Sequence, residues 1–180
     1  MRIRNEPYAY GALARVMHWT TVALVAWLYI GISGLDVPPK NLARDAVVTT
    51  HVLAGAGVFL LMAVRLLWRF SNPNPVASYT LTRRHRAAVY VVHYTLYALV
   101  LAACVSGLIA VTSEAGVLAG LELGDSVGAI AASLRATAED ARTVHAALTS
   151  MLLLLALVHA TAAVVNQIVG VPAPSDAADG

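Results

Sequence analysis

The chain has 180 residues, 59% of them hydrophobic and only 12% charged, and its formal net charge is +2. A soluble domain carries about a quarter charged residues, so this composition excludes an ordinary water-soluble globule. The small net charge gives no electrostatic footprint for nucleic acid. The single cysteine, Cys104, excludes an internal disulfide and a cysteine-built metal cluster and reads as a packed core thiol.

A transmembrane helix needs about 20 consecutive, mostly apolar residues. Four segments meet that condition: 14–35, 47–68, 87–112 and 143–169. The leading stretch "MRIRNEPYAYGALARVMHW" lacks a small-residue cleavage site, so the first span is expected to stay as an anchor. Segment 113–142 is interrupted by glycine, Glu122 and Asp125, and is expected to be a loop with short surface helices rather than a fifth span. The tail "VPAPSDAADG", 171–180, is expected to be disordered. The fold class expected is therefore all-α, an integral membrane four-helix bundle over residues 1–170.

Lys and Arg orient membrane helices with the basic loops inside. Arg2, Arg4 and Arg15 precede or open the first span, and Arg69, Arg83, Arg84 and Arg86 flank the second connection, with Arg65 just inside the second span. The first and third connections together hold four basic residues (Lys40, Arg44, Arg135, Arg142) against seven acidic ones (Asp36, Asp45, Glu114, Glu122, Asp125, Glu139, Asp140). Both termini are expected on the cytoplasmic side of a bacterial inner membrane.

Polar groups within a bilayer are costly and usually functional, which draws attention to the histidines. His145 and His159 share the fourth span, 14 residues apart. That is about 21 Å along a helix, and about 40° from whole turns, so both rings lie on one side. His51 falls at the depth of His145, and His18 in the same leaflet as His159. Two imidazoles facing each other across a bundle can fill both axial positions of a haem iron, which favours electron transfer over oxygen binding. Two pairs, His51/His145 and His18/His159, would carry two stacked haems. Zinc would want four clustered ligands, whereas these are split between leaflets; a proton relay and structural hydrogen bonding remain alternative readings. Small residues at Gly55, Gly57, Ala156, Ala160, Ala162 and Ala163 leave room for a wide ring, although they also serve plain helix packing. His93 has no evident partner and is assigned to the surroundings of the haem or to a quinone site, with a structural role as the alternative; His85 reads as a loop residue.

These residues resemble a known family. "ARVMHW" in the first span, "THVLAGAGVFLLMAVRLLWRFSNPNP" through the second, "YVVHYTLYALVLAACVSGL" in the third and "VHAALTSMLLLLALVHA" in the fourth resemble the bacterial cytochrome b561 family, over roughly residues 8–168. The resemblance is closest to its superoxide oxidase type. It implies a four-helix cytochrome with two haem b groups, whose axial ligands match His18, His51, His145 and His159. It also implies an electron route from an outer to an inner haem and on to ubiquinone or another membrane quinone, with superoxide as the donor. The alternative is an electron-transfer subunit serving a periplasmic or membrane redox partner. Arg65 and Arg142 are the candidate partners of haem propionates, with Lys40, Arg44 and Arg135 as further basic groups on the outer side. The acidic excess of the outer connections argues against strong steering of an anion. Trp19 is a candidate for packing on the haem or quinone and Trp68 reads as an interfacial residue, while Asn166 and Gln167 are candidates for hydrogen bonding a quinone carbonyl.

Overall fold

The computed structural model describes residues 2–6, 9–33, 42–72, 75, 83–121 and 128–169. Lys40, Asp36, Glu122, Asp125 and the tail 171–180 lie outside the described residues, as do the side chains of Arg44, Asp45, His85, Glu114 and Gln167.

Four helices are present: α1 (Ala12–Ser33), α2 (Leu42–Ser71), α3 (Arg83–Leu121) and α4 (Gly128–Val169). Each contains a stretch long and apolar enough to cross a membrane. The start of α1 lies beside the ends of α2 and α4 and the start of α3, so the helices alternate in direction. This chain is a multi-pass membrane protein.

The expectation of a loop over 113–142 needs correction. Helix α3 runs on to Leu121 and α4 begins at Gly128, so most of that segment is helical. Polar residues end a membrane span, but Ala, Leu, Glu and Arg are all good helix formers in water. The 39 residues of α3 and the 42 of α4 reach about 58 and 63 Å at 1.5 Å per residue. Both therefore outrun a hydrocarbon core about 30 Å thick and continue as helix beyond it.

The N-terminal segment folds back to cap α1. Ala12 N–H donates to the Arg2 carbonyl at 2.9 Å and Gly11 N–H to Asn5 Oδ1 at 2.9 Å, satisfying donors that a bare helix start leaves open. Glycine is required at position 11, because a Cβ there would collide with the carbonyl oxygens of Ile3 and Arg4.

The packing of the bundle is uneven. Helix α3 lies along α4, and α2 contacts both α1 and α3, but α4 barely approaches α1 or α2 among the described residues. The Tyr29 hydroxyl donates to the Thr149 carbonyl, one of the few links from α1 to α4. A small dry core, Val58, Met62, Tyr97, Leu99, Val100 and Leu152, closes the middle of the bundle. Above and below this waist the bundle opens into two cavities.

Candidate functional site

The alternating helices sort five of the histidines into two levels, one at each end of the waist. His18, His93 and His159 gather at the end that carries the N-terminal segment, here the basic end. His51 and His145 meet at the far end.

At the far end, the rings of His51 and His145 stand 6.2 Å apart, centroid to centroid, with their planes 80° apart. His145 Nδ1–H donates to the Ala103 carbonyl on α3 at 2.8 Å, with Ser106 Oγ at 3.4 Å. A carbonyl only accepts, so the proton sits on Nδ1 and the lone pair on Nε2. Gly107 supports the same ring: a Cβ there would stand 3.1 Å from its Cε1 and Nδ1 atoms. Beside His51 lies a cavity of about 280 Å³, walled by Trp27, Leu28 and Gly31 from α1 and by Ala46, Val47 and Thr50 from α2. Among the described residues no charged side chain lines it. Gly31, Gly55 and Gly57 each face open space where a side chain would begin.

At the basic end a cavity of about 170 Å³ is lined by His18, His93 and His159 and by three arginines, Arg15, Arg65 and Arg69. Asn5 and Tyr10 from the capping segment, with Met17, Trp68 and Tyr97, complete most of its wall. His93 and His159 are in edge contact, 4.9 Å between centroids, and His93 Nδ1–H donates to the Val89 carbonyl at 2.6 Å. Arg65 donates to His18 Nδ1 at 2.8 Å and stacks over Tyr97, 5.4 Å from its centroid. Arg69 stacks over Tyr94 at 5.4 Å and reaches Tyr97 at 5.8 Å. Two buried donors, Trp68 Nε1–H and Arg69 Nε–H, have no acceptor among the described residues. Such a loss normally costs about 1–3 kcal/mol.

The sequence-based candidates are now placed. His93, expected to lack a partner, instead touches His159 in the same cavity. Arg65 is half-buried against His18, as a group within the site rather than a surface anchor. Arg142 is exposed on α4, three residues before His145, and is not among the residues walling the far-end cavity; Arg135 is also exposed. Trp19 touches His18 edge-on at 5.5 Å but is 65% exposed, so it faces the lipid more than the cavity. Asn166 is exposed and does not line the basic-end cavity. Of the small residues near His159, Ala156 is half-buried, while Ala160, Ala162 and Ala163 are exposed. Cys104 is half-buried and donates weakly to the Gly55 carbonyl at 3.6 Å, as a packed thiol does. Sequence reasoning missed Tyr94, Tyr97 and the unpartnered donors of Trp68 and Arg69. The signal for the tyrosines was present in their spacing: "YTLY" puts Tyr94 and Tyr97 on one face of α3.

The family model for prokaryotic cytochrome b561 matches residues 9–173, nearly the whole chain. The chain belongs to the prokaryotic cytochrome b561 family. No curated protein and no solved structure is significantly similar to it. Membership of the cytochrome b561 family brings b-type haem binding and electron transfer within the membrane.

The residues present fit such a group. Metal–imidazole bonds run about 2 Å, and a ring centroid lies about 1.1 Å beyond its nitrogen. Two imidazoles on opposite sides of one metal therefore have centroids about 6.2 Å apart, which is the His51–His145 separation. The 4.9 Å between His93 and His159 is too short for the two rings to stand on opposite sides of one metal. The helices that carry the candidate pairs, α4 against α1 and α2, are also the ones whose backbones stay furthest apart, meeting through side chains at the waist. This b561 bundle has a cavity at each histidine level and is closed at the waist.

Proposed function

We propose that the protein is a transmembrane electron conduit holding two haem b groups, one between His51 and His145 and one between His18 and His159. The observation that carries the reading is the 6.2 Å separation of His51 and His145, with the Nδ1 of His145 tied back to Ala103. That tie leaves Nε2 as the ligating atom and strengthens it as a donor. Once bound, each iron would supply a one-electron Fe(III)/Fe(II) couple. For His18 to bind iron through Nε2, its Nδ1 must carry the proton, so Arg65 must give up its present hydrogen bond and becomes available to a haem propionate. His93 then packs against the ring of His159 and holds its plane. Arg142 is assigned to the propionates or the entry at the far end.

In this reading the basic end is cytoplasmic, following its arginines, and both termini lie there, in a bacterial inner membrane. Ubiquinone or a related quinone binds at that end, where the Trp68 and Arg69 N–H groups lack acceptors and a quinone offers two carbonyl oxygens. Superoxide is the proposed electron source at the far end, which makes the protein a superoxide:ubiquinone oxidoreductase. A second reading, a redox protein docking at the far end, is favoured by the seven acidic and four basic residues of its connections. Rapid mixing of the oxidised, haem-loaded protein with superoxide separates the two: haem reduction within the mixing period supports the oxidase, and its absence supports the partner-protein donor. Absence of a two-haem b spectrum from the purified protein, or its full retention in His51→Ala and His159→Ala, would sink both.

A further inference from the structure

The two cavities differ in charge. Among the described residues, three arginines and no carboxylate line the basic-end cavity. Two of them, Arg65 and Arg69, are half-buried and held in place by stacking on Tyr97 and Tyr94. Neither has a carboxylate partner among the described residues; the salt bridge described at this end, Arg2 with Glu6, lies on the surface. Among the described residues the far-end cavity is walled by apolar residues, one threonine and His51, with Arg142 exposed outside it, and the partners of His145 there are a carbonyl and a hydroxyl. Guanidinium remains charged at any working pH, and Arg tolerates partial burial when stacked on aromatic rings.

We propose that the Arg65–Tyr97 and Arg69–Tyr94 stacks set the direction of electron flow by holding the basic-end haem at a higher reduction potential than the far-end haem. The inference rests on the two-haem reading above. Adding an electron to a bis-imidazole ferric haem lowers its charge by one unit. A fixed positive charge nearby therefore favours the reduced form, and does so more strongly in a low-dielectric bundle than in water. The transfer is balanced without any proton: the far-end iron goes from Fe(II) to Fe(III) as the basic-end iron goes from Fe(III) to Fe(II). Arg65 and Arg69 act as positioning residues through their charge. The tyrosines keep that charge at the haem and away from the lipid headgroups.

The experiment is an equilibrium redox titration of the purified, haem-loaded protein, with His51→Ala and His159→Ala used to assign each wave to its end. The expected wild-type result is a basic-end potential above the far-end one by at least about tenfold in equilibrium constant, which is 59 mV for a one-electron couple. Arg69→Gln should lower the basic-end potential and leave the far-end wave in place, while Arg69→Lys, which keeps the charge, should restore most of the gap. Arg65→Gln should act in the same direction, but Arg65 touches His18 and its loss also disturbs that ring, so Arg69→Gln is the deciding variant. Equal potentials in the wild type, a lower basic-end potential, or a basic-end wave unmoved by Arg69→Gln would overturn the proposal while two haems are still bound. A preparation without two b haems would instead overturn the haem reading itself, before any potential is measured.

Discussion

Gly107→Ala is the sharpest probe of the far-end site. In an ordinary helix interior, replacing Gly by Ala stabilises by about 0.5–1 kcal/mol. Here the new methyl would stand 3.1 Å from Cε1 and Nδ1 of His145, closer than carbon normally sits, so the ring must move away from α3 by a few tenths of an ångström. That movement stretches the 2.8 Å bond from Nδ1–H to the Ala103 carbonyl. A hydrogen bond of this kind contributes about 0.5–1.5 kcal/mol net, so gain and loss nearly cancel and the thermal midpoint of the haem-free protein should hardly change. The far-end haem should respond. A weaker Nδ1–H···O=C bond makes His145 a poorer electron donor, and supporting contacts of this type are worth about 10–100-fold in metal affinity. We expect weaker haem retention and a raised far-end potential, read by haem content per polypeptide and by redox titration. A variant stabilised by the full helix-propensity gain, with its far-end wave unmoved, would refute the packing of His145 on α3.

Several other outcomes are expected. Gly57→Leu meets open space in the haem-free bundle, so the variant should fold in detergent with unchanged helicity by circular dichroism yet lose far-end haem absorbance. The His51 and His145 planes are 80° apart, so the oxidised far-end haem should give the strongly anisotropic low-spin electron paramagnetic resonance signal of near-perpendicular axial imidazoles; a rhombic signal of parallel planes would count against that arrangement. Tyr29→Phe removes the hydroxyl donated to Thr149 and should cost about 0.5–1.5 kcal/mol in detergent denaturation. Asn5→Ala unpairs the Gly11 N–H at the start of α1 and should cost about 0.5–2 kcal/mol, as loss of a cap does, with the basic-end haem more easily stripped than the far-end one.

The spans and the family were legible in the sequence because hydropathy and the 14-residue histidine spacing are properties of single helices. The nearness of His51 to His145 was legible too, since both residues lie a short, countable distance from a span end. What hid was everything set by lateral packing. Nothing in the sequence says that α4 leans on α3 and stands off from α1 and α2, so the partnership of His93 with His159 could not be read from depth alone. Arg69 looked like an anchor of the basic side, and Arg65 like either an anchor or a propionate partner, because a charge count carries no depth or rotation. Their stacking on Tyr94 and Tyr97 depends on two helices meeting. The helical run through 128–142 was missed because Glu139, Asp140 and the flanking Arg residues mark the end of an apolar span without ending a helix.

The dry waist around Val58, Met62 and Leu152 gives the conduit an electrical cost. Among the described residues its buried side chains are apolar apart from Tyr97, which gives a proton little to follow beside the electron. A charge passing between the levels of His145 and His159 therefore crosses about 21 Å of a hydrocarbon layer about 30 Å thick, uncompensated. Moving one charge across the whole membrane against 100 mV takes about 2.3 kcal/mol, so this passage takes roughly two-thirds of that, about 1.5 kcal/mol. In the proposed orientation an inward electron moves toward the negative side. An energised membrane would slow its own electron entry by this route, and a collapsed one would release it.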